Sequence, residues 1–473
     1  MTKLTKIVAT IGPATESEEQ ITKLIEAGMN VARFNTKHGD VEWHQERIKR
    51  VRSIAEKMGV SIGILLDLQG PEIRLTIPGE EAFAVNTDQT VIFTHNQDCQ
   101  DPHKPVLPKI VVETLKPGDH VLIDDGLGEF AVVSKNQDEL ATTALGNFTI
   151  SNRKTLNTPG ATIDLPSLID RDLAHLDAAT DDLIDFVGLS FVRNKQDIEI
   201  LKSELEKRQL HPEIVAKIEN QSALDHLEEI IEVSDVVMIA RGDLAVEVPF
   251  EELTYWQKKI IDKSRELGKP VITATQMLKS MVDNPRPTRA EVSDVAHAIY
   301  DGTDAVMLSE ETTLGKYPVE AVRAQAKIAS FNEPHSCFQP LTSGISNTTA
   351  YITQAAINLL SSCKSTQVAP VDKIVCLTET GDTARLIARF RPDLPIYTLT
   401  SSQRTYRQLS MVYAVIPYMI KLPDDYRLAS SEELLNVLKQ LNITTGGEKV
   451  LLIHGTFWKK PGLTNTLSLI TIP

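Results

Sequence analysis

Apolar positions along the chain fall into two rhythms. Near the middle, two short β-branched runs at 214–218 and 235–240 flank a stretch in which Leu224, Leu227, Ile230 and Ile231 recur at helical spacing. A strand, a helix and a second strand in that order predict a unit of parallel sheet. The same cycle opens the chain, with strands expected at 6–11, 30–34 and 61–67, helices at 17–27 and 41–57, and Gly28 breaking the first helix. From about 75 to 159 the rhythm changes to short alternating runs separated by Pro, Gly and Asn, the pattern of an antiparallel all-β insertion. The first rhythm then returns, with strands expected at 185–191, 270–274 and 304–308 besides the two in the middle.

Counted together these are eight strand–helix units, which predicts a (β/α)8 barrel with its active site at the C-terminal ends of the strands. The polar residues expected there are Arg33, Asn35, Asp67, Ser190, Arg193, Lys217, Glu219, Asp243, Thr275 and Ser309. Any one of them also suits an ordinary cap or turn. Their recurrence at strand after strand marks a site. Lys217 and Glu219 end one strand, and Arg241, Gly242 and Asp243 end the next. Two carboxylates with a lysine among them suit a hard divalent cation holding an oxyanionic substrate, because such an ion keeps waters and substrate oxygens in its shell. A buried ion-pair network is the other reading of the same residues.

Beyond residue 331 a stretch with the composition of a linker leads to a third region, starting near 348, where apolar runs and helical patterns alternate again, with helices expected at 404–413 and 431–440. One strand there runs through Thr378, Thr380, Gly381 and Thr383 into a helix. Such a turn aims hydroxyls and backbone N–H groups at a phosphate, although a plain N-cap has the same composition.

Composition narrows the class. A chain of 473 residues with 42% hydrophobic content suits two to four domains. A net charge of −15 spread along the chain favours solubility and argues against nucleic-acid binding. Cysteines at 99, 337, 363 and 376 have no CxxC spacing and read as reduced core residues of a cytoplasmic protein. The first residues hold too short an apolar run for a signal peptide, and no stretch has the length expected of a membrane span.

The stretches TKIVATIGPAT, GMNVARFNTKHGD, LLDLQGPEIR, DFVGLSFVR, IVAKIEN, VVMIARGDLAVEVP, PVITATQMLKSM and LTETGDTARLIARF, in this order, resemble the pyruvate kinase family along nearly the whole chain. The resemblance implies a TIM barrel (1–74 and 160–332), an inserted antiparallel β-barrel lid (75–159) and a C-terminal α/β domain for effectors and oligomerisation (345–473). It implies a cytoplasmic homotetramer that transfers the phosphoryl group of phosphoenolpyruvate to ADP, giving pyruvate and ATP. A lyase of the related enolpyruvate-handling barrels and a non-catalytic, metabolite-sensing paralogue are the alternatives; the insertion and C-terminal domain count against the first, and intact Lys217, Glu219, Asp243 and Thr275 against the second.

Residue by residue, the resemblance implies that Glu219 and Asp243 ligate Mg²⁺, with Mn²⁺ as a substitute, and that Lys217 touches the transferring phosphoryl group. Arg33 and Arg74 match the phosphate region, Gly242 the amides near the substrate carboxylate, and Thr275 the face of the enolate where the proton arrives. Pro13, Arg33, Trp43 and Lys154 match the surroundings of ADP, and Asp124 and Asp125 lie on the lid. Thr378, Thr380, Gly381 and Thr383, with Trp458, Lys459 and Lys460 on the last loop, match an effector site for a sugar phosphate or nucleotide, against which Asp382 brings a repelling charge. Asn35, Lys37, Asp67 and Leu68 match the monovalent-cation site. Lys37 stands where most members have a K⁺-binding serine, so its ammonium is expected to replace K⁺ by pairing with Asp67, with Glu72 as a second partner. Ala245 and Glu310 replace common glycines of the family.

Overall fold

The computed structural model describes residues 3–338, 341, 347–366, 370–421, 431–456 and 462–473. Eight parallel strands, Lys6–Thr10, Val31–Asn35, Gly63–Asp67, Phe186–Leu189, Glu213–Ile218, Val236–Ala240, Val271–Ala274 and Ala305–Leu308, close into a barrel, the last pairing with the first. Each pairs with its neighbour in sequence, and Gly63–Asp67 pairs with Phe186–Leu189 across the insertion. Their residues are almost uniformly buried, as strands covered on both faces must be. The first two helices begin and end as their sequences dictate. Ser17 and Asp40 accept amide hydrogens at the N-termini, and Gly28 and Gly59 end them in the left-handed conformation.

The insertion forms a five-stranded antiparallel sheet and a two-stranded sheet around its own core of Phe93, Phe130, Leu140 and Leu156. Ile163 and Leu165, beyond residue 159, also pack against that core. In the C-terminal region four parallel strands and the antiparallel Thr464–Thr471 make one sheet. Leu4, near the start of the chain, is buried in this region's core rather than in the barrel's.

The helix expected at 404–413 stops early: Gln403–Gln408 is helical, Leu409–Met411 is a single 3-10 turn, and Ala414 has φ 60°. Tertiary partners take the amides that would continue it, since Tyr413 N–H donates to Asp304 (3.0 Å) and Ala414 N–H to the Leu4 carbonyl (2.9 Å). The cysteines also differ from expectation. Only Cys376 is buried, and Cys337 is exposed. Among the described residues no helix is long and apolar enough to cross a membrane.

Candidate active site at the strand ends

At the C-terminal mouth of the barrel, Asp67 lies between two cations. Arg33 donates from Nε (2.7 Å) and Nη2 (2.6 Å) to Asp67 Oδ2, and Lys217 Nζ lies 3.4 Å from Oδ1. Burial alone would raise the Asp67 pKa, but Lys217 and Arg33 outweigh it and hold the carboxyl below its ordinary range. Lys217 also donates to Ser190 Oγ (2.6 Å) and pairs with Glu219 Oε1 (2.9 Å). Burial opposes its charge, yet Asp67 and Glu219 raise its pKa above the ordinary lysine value, so the ammonium is permanently charged in a nearly dry place. Ser190 in turn donates to the Leu68 carbonyl (2.7 Å).

The close fit extends to the backbone. Gly188 is the registered neighbour of Asp67, and a Cβ there would stand 2.7 Å from Asp67 Oδ1, so no larger residue fits without moving the carboxylate. Glu219 Oε2 accepts the Phe191 N–H at 2.6 Å, with Phe191 held at φ 56°. Thr275 lies at φ 71°, a region that β-branched residues rarely occupy, and its hydroxyl accepts the Gly242 N–H at 2.7 Å. Backbone strain of this kind clusters where structure serves chemistry.

Asp243 is different. It lies in the first turn of the helix Arg241–Glu247 and accepts no hydrogen bond from the described residues. Removal from bulk water and the nearby Glu219 charge push its pKa up to about 7. A carboxylate short of positive charge beside a second one fits a hard divalent ion that brings its own waters and substrate oxygens. Glu219 and Asp243 would be its protein carboxylates. Arg241 lies outside this cluster, with its guanidinium fixed by Asp294 and by the Ala274 and Thr275 carbonyls.

Lys37 reaches the second of its two expected partners and not the first. Its Nζ pairs with Glu72 at 2.7 Å, and Glu72 also holds Arg74 at 2.7 Å, while both oxygens of Asp67 face the cations of the barrel interior. The Asn35 side chain accepts the Lys37 N–H at 3.1 Å. On the lid, Lys154 pairs with Asp124 at 2.8 Å, and Asp124 and Asp125 both adopt positive φ. Pro13 is exposed beside the strand Lys6–Thr10, in the turn that follows Gly12. Trp43 donates its amide to Asp40, is partly buried against the barrel core, and has the Arg47 guanidinium 4.6 Å above its ring, so packing occupies the indole.

The hydroxyls of the expected effector loop already have partners within the protein. Thr378 Oγ1 accepts the Gly381 N–H, Thr380 Oγ1 donates to Asp382, and the buried Thr383 meets Thr464 at 2.7 Å. Arg385 covers Gly381, donates to the Thr380 carbonyl and pairs with Glu213 of the barrel. Short polar side chains satisfy their own turn before any ligand arrives. Trp458, Lys459 and Lys460 lie outside the described residues.

Sequence reasoning assigned no role to Gly188, Arg171 or Asp172. A glycine inside an otherwise apolar strand was the available signal for the first. An adjacent Arg–Asp pair opening a helix gives none until its partners are seen.

A family model described as pyruvate kinase, barrel domain, matches residues 2–322, and one described as pyruvate kinase, alpha/beta domain, matches residues 358–470. The chain is 40% identical to a pyruvate kinase of Bacillus licheniformis over 99% of its own length and 80% of the relative's, and 40% identical to one of Staphylococcus epidermidis over 98% and 80%. A solved pyruvate kinase structure from Cryptosporidium parvum superposes with a TM-score of 0.89 at 31% identity, covering 100% of this chain and 96% of that one. With a closed barrel, an inserted lid and a charged strand-end cluster in place, the chain belongs to the pyruvate kinase family and is a phosphotransferase of glycolysis.

Proposed function

We propose that the cluster around Lys217 carries the transfer of the phosphoryl group from phosphoenolpyruvate to ADP. The observation that supports this most is the buried Arg33–Asp67–Lys217–Glu219 array facing the uncompensated Asp243. The substrate joins a carboxylate to a phosphate, so catalysis consists mainly of gathering positive charge and orienting it before the reaction. Lys217 neutralises the equatorial oxygens of the group in transit. Arg33 and Arg74 bracket the phosphate, Arg33 held by Asp67 and Arg74 by Glu72. The Gly242 region takes the substrate carboxylate. Thr275 holds the water through which the proton reaches the enolate carbon, because a threonine hydroxyl is too weak an acid to deliver it alone. Closure of the lid carrying Asp124 and Lys154 excludes water and limits hydrolysis of the phosphoryl donor.

The family uses a divalent metal, and Glu219 and Asp243 would hold it. When bound, Mg²⁺, or Mn²⁺ in its place, supplies charge toward the substrate oxygens that protein cations alone do not reach. A coupled assay of pyruvate formation from phosphoenolpyruvate, ADP and Mg²⁺ tests the reading. Glu219→Gln and Asp243→Asn are expected to raise the Mg²⁺ needed for half-maximal rate by roughly 10–100-fold. Unchanged Mg²⁺ titration curves in both would remove the metal assignment, and absence of pyruvate formation by the wild type would remove the whole reading.

Lys37 adds a second element to this reading. Its ammonium supplies the monovalent positive charge itself, anchored on Glu72 beside Arg74. A K⁺ ion at the same place would meet like-charge repulsion, on the order of 4 kcal/mol at 4 Å and an effective dielectric of 20. The enzyme is therefore expected to turn over fully with tetramethylammonium as the only monovalent cation, whereas Lys37→Ser acquires a K⁺ requirement. Strong activation of the wild type by K⁺ would refute this. A homotetramer in the cytoplasm belongs to the same reading, with the exposed Phe250 and Tyr255 as large apolar residues available to a neighbouring subunit. A sugar-phosphate or nucleotide effector at the Thr378–Thr383 turn belongs to it too, although the hydroxyls there already bond within the protein and Asp382 brings a carboxylate to the loop.

A further inference from the structure

Two loops must meet for Lys37 to reach Glu72. One is the turn 36–39 after the strand Val31–Asn35, and the other is the segment 68–72 after Gly63–Asp67. Neighbouring residues in the first turn of one helix, Asp170–Ala178, grip both loops. Arg171 Nε donates to the Thr36 carbonyl at 2.6 Å, and its Nη2 donates to the Gly39 carbonyl, so one guanidinium spans the turn from end to end. Asp172 accepts N–H bonds from Gln69 (2.9 Å) and Gly70 (3.2 Å) in the other loop.

The remaining bonds of the turn are fixed from other sides. The Thr36 N–H and hydroxyl both donate to the Asp67 carbonyl, at 2.9 and 3.0 Å. The His38 carbonyl lies 2.7 Å from His44 Nε2. Burial lowers the His44 pKa, so the ring is neutral, and a carbonyl partner requires the proton on Nε2. The carbonyls of Thr36, His38 and Gly39 are therefore all engaged, leaving the Lys37 side chain as the part of the turn that faces Glu72.

We infer that Arg171 is a positioning residue for the reaction, holding the 36–39 turn so that the Lys37 ammonium stands on Glu72 and, through it, fixes Arg74. The planar, forked guanidinium suits this because it reaches two carbonyls at once with little freedom left to lose. The inference rests on the reading of Lys37 given above. Without Arg171 the turn keeps its bonds to Asp67 and His44 but loses the span that sets its orientation toward Glu72. Lys37 then samples other positions, and Glu72 loses one of the two cations that hold it in place for Arg74.

The experiment is a double-mutant cycle on the full-length enzyme with tetramethylammonium as the sole monovalent cation. It uses Lys37→Met, Arg171→Met and the double variant, with kcat and KM for phosphoenolpyruvate measured for each and thermal midpoints recorded. Each single change is expected to lower kcat/KM by about tenfold, with the double variant no worse than the poorer single. Arg171→Lys, which keeps one of the two carbonyl bonds, is expected to recover most of the loss. Losses that multiply, or an Arg171→Met enzyme equal to wild type, would overturn the inference. Failure of the cation reading looks different. If Lys37→Ser shows no K⁺ requirement while the cycle is non-additive, the cation reading falls and Arg171 still acts through Lys37. If Lys37→Ser does require K⁺ and the losses multiply, the cation reading stands and the role of Arg171 falls.

Discussion

Replacing Lys217 by methionine is expected to lower kcat by about two orders of magnitude or more, because the change deletes a buried charge used most strongly in the transition state. Methionine nearly preserves the length of the side chain, so the loss isolates the ammonium. In this structure that group lies beside Ser190, Asp67 and Glu219, 3.4 Å from an Asp67 Oδ1 that accepts no hydrogen bond from the described residues. Removing it therefore leaves two buried carboxylates with less compensation, and stability is expected to fall as well. The two effects separate experimentally. Rates are measured at a temperature well below the thermal midpoint of the variant, with folded fraction checked by circular dichroism. A fall in kcat with KM for phosphoenolpyruvate changed far less identifies an interaction specific to the transition state. Turnover within threefold of wild type would sink the assignment of Lys217 to the transferring group.

The second large effect lies at the other end of the barrel. Arg391→Met is expected to destabilise the protein by about 3–5 kcal/mol, the range for breaking a buried ion pair from one side. Arg391 and Asp304 are both almost wholly buried, 2.5 Å apart, where the C-terminal region meets the base of the strand Ala305–Leu308. The guanidinium also donates to the Gly302 and Ala388 carbonyls and lies 4.9 Å from the centre of the Tyr413 ring. Once it is gone, Asp304 loses its directly paired cation and keeps hydrogen bonds from the Val271 and Tyr413 amides, with Lys6 and Arg265 acting on it from farther away. Chemical denaturation should show a lower midpoint with an unchanged slope. Asp304→Leu combined with Arg391→Met should regain part of the loss, since the double change removes the stranded charge. A midpoint equal to wild type for Arg391→Met would show that the two regions are held together by other contacts.

Several elements were legible before any coordinates because local chemistry alone specifies them. The short, apolar strand runs of the barrel alternate with amphipathic helical patterns, the mark of buried parallel strands, and Gly28 sits where the first helix must end. Strand-end polar residues announced the site in the same way, since a (β/α)8 chain brings every strand terminus to one face. The early stop of the helix after Gln403 was not legible. Its sequence continues a helical pattern, and only the Asp304 carboxylate, about a hundred residues earlier, claims the Tyr413 amide.

The sequence by itself determined the family, the order of the three regions, and the membership of the Arg33, Asp67, Lys217, Glu219 and Asp243 cluster, because type and position along a strand suffice for these. The tertiary structure alone decided who pairs with whom. Asp67 and Glu72 are both acidic groups near the end of the same strand, and nothing local tells Lys37 which to meet. Arg33 and Lys217 pair with the first, while Arg171 and Asp172, in a helix that follows the whole insertion, hold the two loops that bring Lys37 to the second. In the Thr378–Thr383 turn the pairings of Thr378 with the Gly381 N–H and of Thr380 with Asp382 are local, whereas Thr383 meets Thr464 only once the strand Thr464–Thr471 lies alongside. Pairing of charges and hydroxyls depends on contacts between residues far apart in the chain, and hydrogen-bonding capacity is spent on whichever partner the packing brings within about 3 Å.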